Sequence, residues 1–347
     1  MSNKILVTGA SGWLGKAFLR KIFDGSTSTN FSEIKLFIKD KAELDLLSAF
    51  TKKGVTFSYG DLKNKESIDL FLENSEGATV FNLAGIIHPN IFNQSDFNLI
   101  NNIGVTYLAK RSINYGIKKF VSMSSNSPNG YTKNNKKLFT ENTPYFPYMG
   151  YGKSKMQMEQ NLIDLSKQQK NTNFTIIRAP WFYGPDQPKR QSEFFSMIKN
   201  GRFPVIGTGE NIRSMSYVDN LVEGVILASK YFDKNGEIFW IADERPYSMN
   251  EIIGTIKDLM RNEFSMDVSK RQLKLPSFIS DSARYIDYTS QSLGIYIQKI
   301  HVLSEMNQNI ACSITKAKDV LGYKPNVSLR EGMKNSLNWC LENNLRI

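Results

Sequence analysis

The stretch Thr8-Gly9-Ala10-Ser11-Gly12-Trp13-Leu14-Gly15 follows a β-branched run and opens a helical pattern. Glycines with this spacing permit a tight turn, let the backbone approach a pyrophosphate, and allow a helix to pack closely on a strand. The N-terminus of the following helix offers free N–H groups and the positive end of its dipole to phosphates. An isolated glycine-rich turn would be weak evidence, so the prediction depends on the strand–turn–helix context. The residues predicted to bind a dinucleotide here are Gly9, Ser11, Gly12, Trp13, Leu14 and Gly15.

Short β-branched runs alternate with longer helical patterns through the first half of the chain. The candidate strands are Lys4–Thr8, Ile34–Lys39, Val55–Tyr59, Thr79–Leu83, Lys119–Ser124 and Phe174–Arg178. This alternation predicts an α/β fold with a Rossmann doubly wound parallel sheet, whose ligand lies at the carboxyl ends of the strands. We expect residues 1–178 to form an NAD(P)-binding domain to which residues 216–245 return. Residues 179–215 and 246–347 would form a smaller, mostly helical substrate-binding domain, although residues 265–303 have only weak periodicity.

The 347 residues carry a formal net charge of +11, spread over scattered lysines. A distributed excess of this kind is typical of a solvated surface, so we expect no specific nucleic-acid partner, although a positive field would attract an anionic small molecule. No stretch approaches the roughly 20 apolar residues that span a bilayer, and Met1–Lys4 is not followed by a signal-peptide pattern. We therefore expect a cytoplasmic protein with no membrane partner. Cys312 and Cys340 lack metal-ligand spacing, so no metal site is predicted.

The end of the second strand bears on the choice between NAD and NADP. An acidic residue there would bind the ribose 2′-OH, whereas a basic residue accommodates a 2′-phosphate. The strand closes with Phe37-Ile38-Lys39-Asp40-Lys41, which places Lys39 beside the expected acidic position and favours NADP(H). Asp40 becomes the acidic group if the strand is one residue longer, so NAD stays an alternative.

Two further strand ends supply candidate cofactor contacts. Asp61, followed by Leu62 after the third strand, either accepts a hydrogen bond from an adenine amino group or caps the next helix. Small residues after the fourth strand would let a flat ring or a ribose lie against the backbone. The predicted contacts there are Leu83, Ala84 and Gly85.

Tyr151 and Lys155 begin a predicted helix four residues apart and therefore lie on one helical face. A phenol is a poor base at neutral pH because its ordinary pKa is about 10, but a neighbouring ammonium group favours the phenolate. This spacing alone is common on exposed helices. Ser124-Ser125 at the end of the fifth strand strengthens the prediction, since a serine hydroxyl there could bond the oxygen of a reacting carbonyl or alcohol.

These motifs together resemble the extended short-chain dehydrogenases/reductases, and most closely their nucleotide-sugar epimerase and reductase branch. The matching stretches run nearly from end to end of the chain. They are Thr8–Gly15, Asp61, Asn82–Gly85, Asn101–Gly104, Phe120–Gly130, Tyr151–Lys155, Arg178–Pro185, Arg213–Asn220 and Ala317–Pro325. The set is specific for the family and much less so for the substrate.

The resemblance implies roles for individual residues. Tyr151 is the expected acid/base, Lys155 would bind the nicotinamide ribose and tune Tyr151, and Ser125 would position the reacting oxygen. Asn101 matches a helix asparagine that supports the active-site hydrogen bonds, or else it is a satisfied buried polar residue. Ala179 is an expected cofactor contact. Members of the family often pair through two long helices, so a homodimer is expected.

Arg213, His88 and Trp181 are candidate contacts of a nucleotide-sugar substrate. Arg213 matches a family arginine that binds the substrate diphosphate, which suits a guanidinium fork, or it is a surface arginine near a turn. His88 follows the fourth strand and either contacts substrate or is merely packed. Trp181 stands where many epimerases have an asparagine, and its ring either packs against a sugar or belongs to the core. His301 has no sequence neighbours that suggest chemistry, so we expect it to be structural.

Departures from the family pattern limit which reactions the chain can be expected to catalyse. Ser125 is followed by Asn126 and Ser127, so the acidic pair of the dehydratases and the nearby glutamate of the decarboxylases are missing. We therefore predict an NAD(P)-dependent epimerase or 4-keto reductase that acts on a nucleotide-diphosphate sugar by tyrosine-assisted hydride transfer. One alternative is a hydroxysteroid- or isoprenoid-like alcohol dehydrogenase, whose apolar pocket needs no diphosphate arginine. An alternative from another class is a non-catalytic NADP-sensing or nucleic-acid-binding protein, which the Ser/Tyr/Lys set disfavours.

Overall fold

A parallel sheet of seven strands lies at the centre of the computed structural model, which describes residues 4–25, 31, 33–51, 54–87, 94–132 and 137–347. The strands in chain order are β1 (Lys4–Thr8), β2 (Glu33–Ile38), β3 (Val55–Tyr59), β4 (Thr79–Asn82), β5 (Lys119–Ser125), β6 (Asn173–Ala179), β7 (Trp181–Tyr183), β8 (Val205–Ile206), β9 (Ile212–Arg213), β10 (Met215–Tyr217), β11 (Glu237–Trp240), β12 (Tyr247–Ser248) and β13 (Lys274–Leu275). The order in the large sheet is β11-β6-β5-β4-β1-β2-β3, and the remaining strands form three two-stranded pairs.

Helices connect these strands and fill the C-terminal part of the chain. They are α1 (Trp13–Phe23), α2 (Lys41–Leu46), α3 (Lys65–Leu72), α4 (Ser95–Asn98), α5 (Val105–Asn114), α6 (Met149–Gln168), α7 (Lys189–Lys199), α8 (Val218–Ser229), α9 (Met249–Asp258), α10 (Phe278–Ser292), α11 (Gln298–Glu305), α12 (Thr315–Leu321) and α13 (Leu329–Glu342). A π-helical segment, Leu99–Gly104, joins α4 to α5. Among the described residues, no helix has both the length and the apolar character needed to cross a bilayer.

The sheet is covered on both faces. Ile5 and Val7 of β1 belong to one apolar cluster, with α1 and α8, whereas Leu6 belongs to another, with α3, α5 and α6. Successive residues of a strand point to opposite faces, so these two clusters are the two sides of the sheet. Strands β5 and β6 are buried along their whole length, as expected for the middle of a parallel sheet. A third cluster joins α7, α9 and α13 in the C-terminal part.

The carboxyl ends of the parallel strands meet at one edge of the sheet. The register places Thr8 beside Asn82 and Ser125 beside Ala179. The glycine-rich turn, the loop after β4 and the end of β5 are therefore neighbours, although the turn and the end of β5 are more than a hundred residues apart in the sequence. This edge is where open α/β sheets bind ligands.

The predicted fold class is confirmed by this topology. Element boundaries differ in detail: β2 ends at Ile38 rather than Lys39, and β4 ends at Asn82 rather than Leu83. Residues 265–303, with their weak periodicity, contain β13, α10 and α11. The division into two domains stays a prediction.

Candidate active site

The glycine-rich turn has the geometry that a bound pyrophosphate requires. Gly9 has a φ of +72°, and a Cβ added there would lie 2.6 Å from the backbone N of Ala84. A Cβ on Gly15 would lie 2.2 Å from the carbonyl O of Gly9, so this glycine permits the turn to pack on α1. Gly12 is exposed, and a Cβ there would contact just the Gly9 carbonyl, at 3.2 Å. Because α1 begins after Gly12 without a side-chain cap, its first N–H groups face an accessible turn that an anion could occupy.

We expect Gly9→Ala to weaken cofactor binding about tenfold, because the substitution adds a backbone clash to an unfavourable φ. Gly25 provides a matched control, since it has the same φ of +72° and, among the described residues, no heavy atom within 4 Å of an added Cβ. Gly25→Ala tests the cost of the φ angle alone. Fluorescence titration would measure the affinity of each variant for NADPH and NADH. If Gly9→Ala and Gly25→Ala bound the cofactor equally well, the proposed role of Gly9 would be wrong.

Trp13 joins the turn to the segment after β7. Its indole N–H donates to the carbonyl O of Pro185 at 2.5 Å, and its ring lies 4.6 Å from that of Phe182. The side chain is thus occupied by protein contacts, so a cofactor contact by Trp13 would come from its backbone. Leu14 is buried in the core cluster of α1, and Ser11 is half-buried in the turn.

Lys39 and Asp61 lie together beyond the ends of β2 and β3. The Lys39 Nζ is 3.5 Å from Asp61 Oδ2, and the Lys39 side chain is half exposed. Asp40 instead caps α2 by accepting the Glu43 N–H at 3.0 Å, which disfavours it as the acidic ribose contact. The cap of α3 is Asn64, so the interpretation of Asp61 as a helix cap is wrong.

The loop after β4 is held by Asn101. This residue is fully buried in the π-helical segment, and its amide both donates to the carbonyl O and accepts from the N–H of Ile86, each at 2.9 Å. A Cβ on Gly85 would lie 3.1 Å from Asn101 Oδ1 and 3.2 Å from Lys155 Nζ. Gly85 therefore lets Asn101 and Lys155 approach each other. Asn101 is a satisfied polar residue, as one interpretation predicted, and it also fixes the loop beside Lys155.

Leu62 lies next to the π-helical segment. A Cβ added to Gly104 in that segment would lie 2.4 Å from the carbonyl O of Leu62.

Tyr151 and Lys155 lie one turn apart on α6. Lys155 is buried and its ammonium donates to the carbonyl O of Met123 at 2.9 Å. Burial lowers the pKa of Lys155 to about 8, although Glu159 raises it. Burial raises the pKa of Tyr151 to about 12, the Ser125 hydroxyl lowers it, and the Glu305 carboxylate raises it. In the protein alone, the pKa of Tyr151 is thus raised rather than lowered, contrary to the expected effect of Lys155.

The two serines at the end of β5 have different partners. Ser124 donates to Glu159, which is fully buried and paired with Arg178 at 2.6 Å. Tyr145 also donates to Glu159, at 2.9 Å. Ser125 interacts with Tyr151 and accepts the Ser127 N–H at 3.3 Å. Ser125 therefore lies beside Tyr151 and Ser124 does not, and the role of Ser125 toward a reacting oxygen stays a prediction.

A cavity beside Tyr151 is lined by side chains from α10 and α11 that the sequence did not predict. Its lining consists of Ser127, Gly130, Tyr131, Tyr148, Tyr151, Arg284, His301, Ser304, Glu305 and Gln308. Nine of these ten residues have a hydrogen-bonding or charged side chain, and the rings of the three tyrosines also supply apolar surface. His301, Ser304 and Glu305 share one face of α11, but the other lining residues come from distant parts of the chain that no local spacing connects.

His301 lines this cavity, so it has polar neighbours in space that its sequence surroundings do not indicate, and its structural role stays a prediction. Its Nδ1 lies 2.9 Å from the buried carboxylate of Asp287, and its ring stacks on Tyr148 with centroids 5.8 Å apart. Burial acts to lower the pKa of His301, but the hydrogen bond to Asp287 and the charge of Glu305 outweigh it and raise the pKa. Tyr148 donates to the same Asp287 at 2.8 Å, which ties α10 to the start of α6.

The predicted substrate contacts have different surroundings. Arg213 is half-buried and donates to the main-chain O of Glu305, whose side chain lines the cavity. Burial lowers the pKa of Arg213, and Glu305 raises it. Trp181 packs edge-on against Phe194 at 5.3 Å and belongs to the C-terminal core, as its core interpretation predicted. His88 lies outside the described residues.

Ala179 is buried at the end of β6, beside Ser125 in the register, and is thus at the predicted edge. Cys312 and Cys340 are buried free thiols. Within the described part of the chain, no group of histidine, cysteine and acidic side chains could hold a metal ion.

Comparison with known proteins agrees with this geometry. A model of the NAD dependent epimerase/dehydratase family matches residues 5–242. The chain is 44% identical over 343 residues to the uncharacterized protein y4nL of Sinorhizobium fredii, which covers 98% of this chain and 95% of that protein. It is 23% identical over 351 residues to the UDP-glucose 4-epimerase of Vibrio cholerae, which covers 100% and 98%. The structure of UDP-glucuronic acid 4-epimerase from Bacillus cereus in complex with NAD matches with a TM-score of 0.74, at 18% identity and 98% and 99% coverage, and supports the fold.

Proposed function

Because the chain belongs to the NAD dependent epimerase/dehydratase family, we propose that it is an NAD(P)-dependent enzyme acting on a nucleotide-diphosphate sugar, as an epimerase or a 4-keto reductase. One observation carries the proposal: Ser125, Tyr151 and Lys155 converge at the sheet edge that also holds the glycine-rich turn. This set combines a proton donor, a hydroxyl for the reacting oxygen and a cation beside a predicted nicotinamide position.

The residues at the sheet edge fit a dinucleotide. The turn from Gly9 to Gly15 would hold the pyrophosphate on the uncapped N-terminus of α1. Leu83, Ala84 and Gly85 would lie along the nicotinamide half, with Ala179 across the edge, and Asp61 and Leu62 along the adenosine half. When bound, the nicotinamide supplies the site that accepts or donates a hydride.

Tyr151 would move the proton between its phenol oxygen and the alcohol or carbonyl oxygen of the substrate. Ser125 would donate to or accept from that same oxygen and so fix its position. Lys155 would stabilise the phenolate and bind the ribose hydroxyls, since its ammonium has just one protein partner among the described residues, the Met123 carbonyl. Asn101 holds the loop at Ile86 and thereby keeps Lys155 beside Gly85. A positive charge next to Tyr151 is required, because burial alone raises its pKa.

The cavity favours a sugar over an apolar alcohol. Arg284, His301 and Glu305 are half-buried and supply donors and acceptors that hydroxyl groups can use, whereas a sterol ring would offer them no hydrogen bond. Arg213 would bind the diphosphate after exchanging its present contact with the Glu305 main chain. We propose a homodimer for this enzyme, as in the family.

The reaction can be tested with purified protein in two assays. Incubation with NADPH and 4-keto nucleotide sugars detects a reductase, and UDP-sugars without added cofactor detect an epimerase. Mass spectrometry of nucleotides that co-purify would guide the choice of substrates. If both assays fail and an apolar alcohol reacts equally well in Arg213→Ala, the alcohol dehydrogenase alternative replaces the sugar proposal.

We propose that NADP(H) is preferred over NAD(H) because Lys39 stands at the end of β2. Lys39→Gln should weaken NADPH binding about tenfold and leave NADH binding unchanged, since just the 2′-phosphate loses a charge partner. Fluorescence titration measures both affinities. Lys41→Gln is the control, because it removes an exposed charge two residues away. A wild-type protein that binds NADH more tightly than NADPH would contradict this preference.

A further inference from the structure

Helix α10 presents an unusual number of large apolar side chains to the surface. Exposed fractions are 61% for Phe278, 75% for Tyr285, 48% for Ile286 and 57% for Tyr288, and Leu293 just after the helix is 75% exposed. Single exposed apolar residues are ordinary, but a contiguous group indicates an interaction surface. These five residues are called the α10 face.

The rest of the helix supports this interpretation. Ser280, Ala283, Asp287 and Gln291 form its buried side. The positions between the apolar residues of the outward side hold serine and threonine, and Asp281 is the single exposed charged residue of this fully described helix. A solvated helix normally carries charges on its outer side, so the α10 face is suited to a nonpolar environment.

Basic residues lie before and after α10 in the chain. Lys270, Arg271 and Lys274 precede α10, and Lys299 follows it on α11, all of them exposed. The exposed charged residues from 269 to 302 are thus four basic and one acidic, a net of +3 (four minus one), on a chain of net charge +11. An apolar helical face flanked by cations is the pattern of helices that lie in the surface of an anionic bilayer.

The face also continues into the candidate active site. Tyr285 and Tyr288 line a surface groove of about 340 Å³ together with Tyr148, Asp281 and Arg284, so the groove holds one acidic and one basic side chain. Tyr148 and Arg284 in turn line the cavity beside Tyr151. A surface that contacts the α10 face would therefore cover the approach to that cavity.

We propose that the α10 face docks on the surface of an anionic lipid bilayer, with α10 in the plane of the headgroups and the four basic residues among them. This differs from the expectation of no membrane partner, which considered spanning segments and leader peptides. A second copy of the chain fits less well, since pairing through the same patch brings two sets of like charges together. The proposal does not depend on the substrate or on the reaction.

Vesicle co-sedimentation of the full chain tests the proposal. We expect binding to phosphatidylcholine vesicles that contain about one quarter phosphatidylglycerol, and binding about tenfold weaker to phosphatidylcholine alone. The double variant Tyr285→Ser/Leu293→Ser should weaken binding to the anionic vesicles about tenfold. Lys270→Gln/Arg271→Gln/Lys274→Gln should remove most of the preference for the anionic lipid.

Leu46→Ser/Leu70→Ser is the matched control, because these leucines are 59% and 57% exposed on α2 and α3 of the sheet domain. Circular dichroism and cofactor titration would establish that each variant is folded. Three results would overturn the proposal: no binding of the wild type to anionic vesicles, an equal loss of binding in the control, or unchanged binding in the serine variant of the α10 face. If the serine variant dissociated from a dimer to monomers while its vesicle binding stayed unchanged, the α10 face would be the contact surface between two copies of the chain.

Discussion

Replacement of Tyr151 by phenylalanine should reduce kcat about 1,000-fold, because the variant keeps the ring but loses the group that moves the proton. The effect should fall on the chemical step. The affinity for NAD(P) should change little, since the ring contact with Phe97, at 5.7 Å, does not need the hydroxyl. Steady-state kinetics on the substrate identified in the two assays, together with cofactor titration, would measure these quantities.

Tyr115→Phe is a suitable control because Tyr115 is the residue directly after α5 and has no place in the proposed site. If Tyr151→Phe retained more than about a tenth of the wild-type kcat, the phenol could not be the main proton donor. Loss of cofactor binding in the variant would instead indicate a structural role for the hydroxyl.

Removal of the Glu159 carboxylate should destabilise the protein by about 3–5 kcal/mol, because the Arg178 guanidinium would stay buried without its charge partner. Both side chains are at most 1% exposed, and the Ser124 and Tyr145 hydroxyls also donate to Glu159. Urea unfolding of Glu159→Ala followed by circular dichroism would measure the free energy of unfolding.

Asp164 provides the comparison on the same helix. Its ion pair with Lys167 has side chains 63% and 69% exposed, so Asp164→Asn should cost no more than about 0.5 kcal/mol. A similar loss of stability in the two variants would contradict the importance of the buried pair. Glu159 lies one turn after Lys155, and its charge raises the pKa of Lys155. In a folded Glu159→Gln variant we therefore expect the pKa of Lys155 to be lower than in the wild type.

The sequence predicts the parts of the site that depend on local patterns. Gly9, Gly12 and Gly15 stand in a short strand–turn–helix unit, so their roles follow from spacing and backbone sterics. Tyr151 and Lys155 share a helical face for the same reason. The parallel direction of the central strands follows from the alternation of strands and helices.

Other features could not be predicted because they depend on contacts between distant segments. His301 reaches the cavity only because Asp287 and Tyr148 join α11, α10 and α6, and nothing in the neighbouring sequence indicates this. The raised pKa of Tyr151 follows from burial in the folded chain, which helical spacing does not reveal. The interpretation of Asp61 as a cap was wrong because Asn64, three residues later, occupies that position.

The narrow gap at Gly85 has an evolutionary consequence. A methyl group at this position would lie 3.1 Å from the Oδ1 of Asn101 and 3.2 Å from the Nζ of Lys155. A homologue that keeps both Asn101 and Lys155 is therefore expected to keep glycine at this position. Drift to alanine should occur only in lineages where one of those two partners has already been replaced, so the three positions should vary together.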